Sequence, residues 1–108
     1  MSKKARQPTA RLFLEGWIVY IVQCADGSLY TGITKDLVRR YQQHNAGTAS
    51  RYTRSRRPVK LVYQEDQPDQ SSALKREAAI KKMTRREKLA MIDDCGRRSV
   101  GRSFLLLP

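Results

Sequence analysis

The sequence predicts a small α/β domain of the α+β type, with elements in the order β-β-α-β-α-α. Three observations predict it. β-branched and aromatic residues fill 17–24 and 29–33 around an Asp26-Gly27 turn signal. Helical spacing with capping residues follows at 35–46, 70–82 and 85–94. The 108 residues suffice for one modest core and not for two.

Residues 1–15 are polar and basic, contain Pro8, and read as a flexible arm before a domain at 16–95. Leu12-Phe13-Leu14 is too short for a signal-peptide core, and Glu15 ends it. Residues 17–24 form the first strand, and 29–33 return as the second. The loop length between them decides which side chains meet. A two-residue loop at Asp26-Gly27 puts Tyr20 and Tyr30 on opposite faces, because side chains alternate along a strand. A three-residue loop, Ala25-Asp26-Gly27 with Gly27 left-handed, pairs Val22 with Tyr30 and Tyr20 with Gly32. Both tyrosines then share a face, so a common site requires the odd loop. Gly32, opposite Tyr20, would leave room for a ligand.

Thr34 can cap a helix over 35–46, with Asp36 in its first turn and Gly47 as its stop. Leu37, Arg40, Tyr41 and His44 fall on one side of it. Residues 48–58 read as a basic loop ended by Pro58, and 59–64 as a third strand. Pro68-Asp69 opens a helix over 70–82 with the apolar stripe Ala73, Leu74, Ala78 and Ile80, interrupted by Glu77. Thr84-x-x-Glu87 is a capping box for a helix over 85–94, with Leu89 and Ile92 inward. A tail at 96–108 ends in Phe104-Leu105-Leu106-Leu107.

Twenty-two Lys and Arg against ten Asp and Glu give a net charge of +12. An excess of that size points to a polyanion, DNA or RNA. Cys24 and Cys95 are the only cysteines and His44 the only histidine, which excludes a disulfide framework and a structural zinc site. A reducing, cytoplasmic setting fits. No stretch is long enough to span a membrane.

Five residues are the candidates for chemistry: Tyr20, Tyr30, Arg40, His44 and Glu77. A carboxylate on an inward helix face is costly without a partner. Two readings of Glu77 stand side by side: an ion pair with Arg40, Lys81 or another cation, or a ligand to Mg²⁺ or Mn²⁺ shared with waters and a phosphate. Tyr20 and Tyr30 are either strand aromatics or site phenols. A phenol ionises only near pH ~10 unless a cation or metal-bound water favours its anion. Arg40 can supply that charge or brace a phosphate. His44 reads either as a histidine poised near neutral pH or as a helix-end histidine bonded to backbone or water. Arg39, Arg51, Arg54, Arg56, Arg57, Lys75 and Lys81 would track phosphates, and Tyr52 could stack on a base; the alternative, favoured for Tyr52, is a solvated, disordered loop. No Ser-His-Asp set, P-loop or GxGxxG is present, and the lack of a carboxylate cluster argues against a two-metal nuclease.

At these residues the chain resembles the GIY-YIG nuclease superfamily. Ile18-Val19-Tyr20 matches its first element and Tyr30-Thr31-Gly32 its second; Arg40 and Glu77-Ala78-Ala79-Ile80-Lys81 follow in order. His44-Asn45-x-Gly47 and Arg57-Pro58 look like the small stand-alone bacterial branch, the YhbQ-like proteins. Ile18 replaces the family's first glycine, and no Asn follows Glu77. The resemblance implies a three-stranded antiparallel sheet flanked by helices and phosphodiester hydrolysis of DNA with a single divalent ion, Mg²⁺ or Mn²⁺. It implies Tyr20 as general base or water-positioner with Tyr30 its partner in roles that can exchange, Arg40 on the charge of the phosphorane-like state, His44 assisting proton transfer or phosphate contact, and Glu77 on the metal. Substrate selection then falls to the basic surface or to a protein partner, with the chain a monomer or weak dimer. A non-catalytic nucleic-acid-binding module on the same scaffold is the alternative.

Overall fold

A computed structural model describes residues 16–98. Its elements are β1 (Trp17–Gln23), β2 (Leu29–Thr34), α1 (Leu37–Ala46), α2 (Arg51–Arg54), β3 (Lys60–Gln67), α3 (Gln70–Lys81) and α4 (Arg85–Arg98). The strands form one antiparallel sheet in the order β2-β1-β3. The predicted class and element order hold. The addition is α2, a single turn inside the expected basic loop, capped by the Ser50 side chain on the Thr53 N–H.

β1 is central, so both its faces are covered, and its apolar run is continuous for that reason. Tyr20 and Val22 join Cys24, Leu37, Tyr41, Val59 and Leu61 in a core under α1. Val19 and Ile21 join Tyr63, Ala73 and Ile80 in a second core under α3. Leu61 and Tyr63 are two apart yet serve opposite cores. A bulge explains this: Ile21 pairs with Tyr63 and Val22 with Leu61, which leaves Val62 as the extra residue.

The hairpin uses the odd loop. Tyr20 pairs with Gly32 and Val22 with Tyr30, while Gly27 is left-handed at φ 88°. The Asp26 carboxylate accepts from the Ser28 N–H and hydroxyl at 3.0 and 2.6 Å, closing the turn.

Several boundaries and faces depart from expectation. The cap of α1 is Asp36, whose side chain accepts from the Arg39 N–H, and Thr34 instead closes a small turn onto the Asp36 N–H. On α3 only Ala73 and Ile80 are buried; Leu74 and Ala78 are exposed. The inward face therefore runs 73, 77, 80 at helical spacing, with Glu77 between the apolar pair. Leu89 is exposed and Ile92 packs on the second core. The capping box forms reciprocally, Thr84 N–H to Glu87 at 2.8 Å and Glu87 N–H to Thr84 at 3.1 Å. β3 continues to Gln67 and α4 to Arg98, past their expected ends. The basic arm at 1–15 and the Phe104–Leu107 cluster lie outside the described residues.

Candidate active site

β1 and β2 place the two tyrosines, and α1 lays Arg40 and His44 across them. Tyr20 is 1% exposed and His44 fully buried. The Tyr20 hydroxyl meets His44 Nε2 at 2.8 Å, and His44 Nδ1 meets Thr53 Oγ1 at 2.8 Å. The Thr53 hydroxyl donates to the Ser50 carbonyl at 3.4 Å. Since that carbonyl only accepts, Thr53 accepts from His44 Nδ1–H. His44 Nε2 is therefore the acceptor, and the Tyr20 O–H donates to it.

Burial, with the Arg40 cation beside it, pushes the His44 pKa down from 6.5 to about 4. The reading of a histidine poised near neutrality is thus corrected. So is its alternative, since its partners are buried side chains and not backbone or water. Burial also raises the Tyr20 pKa above the usual phenol range; Tyr30 and Glu77 add to this and Arg40 opposes it, by charge and by a side-chain hydrogen bond. At neutral pH the site holds a protonated phenol against a neutral imidazole.

Gly32 has a different purpose from the one expected. A Cβ there would lie 2.6 Å from the Tyr20 Oη. The space opposite Tyr20 is filled by its own phenol, which must cross β2 to reach the site.

Tyr30 is half-buried. Its ring stands edge-on to His44 at 5.2 Å and stacks with Tyr52 at 5.9 Å between centroids. Arg56 sits 4.0 Å over the Tyr52 ring and pairs with Asp26 at 3.1 Å. The Tyr52 ring thus already has intramolecular partners, which tie α2 to the hairpin and Tyr30; it is neither an open base-stacking platform nor part of a merely solvated loop. Arg40 is braced at Nε by Gln43 Oε1 at 3.0 Å.

Glu77 is half-buried and pairs with Lys81 at 3.2 Å, which realises the ion-pair reading. Its field nonetheless reaches Tyr20. Next to it, Arg76 binds Glu65 on β3 at 2.8 Å, and Tyr63 and Gln67 donate to the same carboxylate. Burial works to raise the Glu65 pKa, but these donors hold it low. Burial and the Glu65 bond push Tyr63 up to about 12. The network locks α3 to the sheet and so fixes where Glu77 stands.

Among the described residues no three His, Cys, Asp or Glu cluster as a metal cage. A lone, half-buried carboxylate beside a phenol suits one hard cation that keeps its waters and binds a phosphate, not zinc. No helix among the described residues is long and apolar enough to cross a membrane.

Arg39, Arg51, Arg54 and Lys75 are exposed, and Lys81 is exposed but paired with Glu77. Arg57 is exposed but bound: it donates to the Arg54 carbonyl at 2.9 Å and to the Asn45 carbonyl, at the end of α1, at 3.4 Å. Sequence reasoning missed Gln43 and Thr53. Gln43 sits three residues from Arg40, a helical spacing that could have found it. Nothing in the sequence marks Thr53, because only the fold of α2 brings it under His44.

Residues 16–90 match the model of the GIY-YIG catalytic domain. A UPF0213 protein of Desulfotalea psychrophila is 56% identical over 77 residues, 70% of each chain. One from Staphylococcus aureus is 52% identical over 81 residues, 75% of this chain and 99% of that one. The solution structure of a UPF0213 protein from Bacillus halodurans superimposes with a TM-score of 0.51 at 33% identity, covering 82% of this chain and 99% of that one. The chain belongs to the GIY-YIG domain family, among the UPF0213 proteins.

Proposed function

We propose that the protein is a nuclease that hydrolyses DNA phosphodiesters with one divalent ion held at Glu77. The observation that carries the reading is the Tyr20 hydroxyl: it touches a neutral, buried imidazole and lies in the fields of Tyr30, Arg40 and Glu77.

The proton has a route. An attacking water gives a proton to the Tyr20 oxygen as Tyr20 passes its own to His44 Nε2, 2.8 Å away. Thr53 holds the His44 tautomer that can receive it. The water oxygen bonds to phosphorus, the P–O bond to the leaving oxygen breaks, and that oxygen takes a proton from solvent. Arg40, fixed by Gln43, faces the charge that builds on the phosphoryl oxygens. Tyr30, packed edge-on against His44, orients the water or phosphate in this reading. A Mg²⁺ or Mn²⁺ ion at Glu77 would polarise the phosphate and neutralise the leaving oxygen. Arg39, Arg51, Arg54, Lys75 and Lys81 contact flanking phosphates. A cytoplasmic role on damaged or branched DNA, alone or with a protein partner, fits two free cysteines and a basic surface.

The test incubates wild-type and Glu77→Gln protein with labelled single strands, duplexes, flaps and branched DNA, in Mg²⁺, Mn²⁺ or EDTA. Metal-dependent cutting, lost in Glu77→Gln while binding persists, is the expected result. Binding without cutting under every condition would favour the non-catalytic module.

A further inference from the structure

We propose that the groove beside Arg40 is a subsite for the nucleotide next to the reacting phosphate, with its base against the Trp17 indole and its phosphate between Lys35 and Arg39. The inference rests on the nuclease reading and deepens it.

The groove runs from the start of β1 past the end of β2 to the first turns of α1. Its volume is about 420 Å³, within the span of small-ligand sites. Half-buried Trp17 and Ile33 give it an apolar wall, and exposed Lys35 and Arg39 line its rim. Lys35 Nζ lies over the indole, 5.9 Å from its centroid, so a phosphate that draws Lys35 onto itself frees that face for the base. Base plus phosphate is the ligand that uses both.

The one acid lining the groove, Asp36, spends its carboxylate on the Arg39 N–H at 3.1 Å and so caps α1. It therefore opposes an incoming phosphate less than a bare carboxylate would. Arg40 joins the groove to the site: it lines the one and acts on Tyr20 in the other. A strand whose scissile phosphate lies at Arg40 therefore places its neighbouring nucleotide here.

Trp17 is the chain's only tryptophan, so its emission reports on this groove alone. The full-length Glu77→Gln protein is titrated with a labelled single-stranded oligonucleotide, whose bases are free to stack, while Trp17 emission and label anisotropy are read together. Trp17 should be quenched with the same midpoint as the anisotropy, and inorganic polyphosphate should not quench it. Lys35→Ala and Arg39→Ala should each shrink the log–log salt slope of binding by about 0.7, the single-strand value per phosphate contact. Lys60→Ala, which removes an exposed cation from β3, should leave the slope unchanged. Anisotropy change without Trp17 quenching overturns the subsite and spares the nuclease. So do equal quenching by polyphosphate, or slopes for Lys35→Ala and Arg39→Ala that match Lys60→Ala. No binding at all sinks both.

Discussion

At the scale of single residues, the site depends on one phenol that has nowhere else to go. Tyr20 is enclosed, bonded to His44, and laid across Gly32. Gly32→Ala forces a Cβ into the space of its hydroxyl. Cleavage should fall about 100-fold or more, the usual worth of a positioned acid–base group. Unfolding in urea should show a loss of about 1–3 kcal/mol, typical of overpacking. Full activity in Gly32→Ala would mean that Tyr20 is not the proton acceptor. His44 makes a second prediction. Its folded pKa is depressed to about 4 from 6.5, so between those values the unfolded chain takes up a proton that the folded one refuses. Stability from this group is complete above pH ~6.5 and is lost as pH falls toward 4, on the order of 3 kcal/mol in all. Urea midpoints from pH 7.5 to 4 should show that slope in wild type, and a shallower one in His44→Gln.

At the scale of elements, the branch motifs turn out to be joints. Asn45 at the end of α1 receives the Val59 N–H at 2.7 Å and donates to the Val59 carbonyl at 3.1 Å, so its amide pairs with the entry to β3 as a strand would. Tyr41 donates to the same carbonyl at 3.3 Å. Gly47, at φ 85°, turns the chain, and the Arg57 guanidinium packs where its side chain would stand. These bonds seat α2, and with it Thr53, beneath His44. Asn45→Ala should cost about 2 kcal/mol in urea unfolding, two net hydrogen bonds' worth. It should also lower activity by loosening Thr53. Unchanged stability would show that the clamp is idle. The hairpin was narrowed in advance only to two loop lengths, until the register chose the odd one. The capping box of α4 was legible in advance because it is a local bargain between neighbours in sequence. The bulge at Val62 was not, since it exists only to let β3 serve two cores at once.

At the scale of the whole molecule, charge is the feature that bears on a nucleic-acid substrate. With a net charge of +12, binding to duplex DNA should weaken with salt along a log–log slope of about −0.9 per phosphate neutralised. Anisotropy titrations across a salt series measure it, and salt-insensitive binding would contradict an electrostatic footprint. By itself the sequence determined the class of fold, the order of its elements and the family, and it narrowed the faces of Tyr20 and Tyr30 to two loop lengths between which the strand register decides. Each follows from periodicity, turn chemistry or a local motif, which act over a few residues. Only the tertiary structure decided what those residues do to one another. Burial, a property of the assembled chain, made His44 neutral and kept Tyr20 protonated. Packing of α2 on the hairpin engaged the Tyr52 ring and brought Thr53 to His44 from nine residues away. Docking of α3 through Arg76 and Glu65 set Glu77 where its charge is felt at Tyr20. Desolvation and contacts distant in sequence leave no trace in local pattern, and the chemistry of this site rests on both.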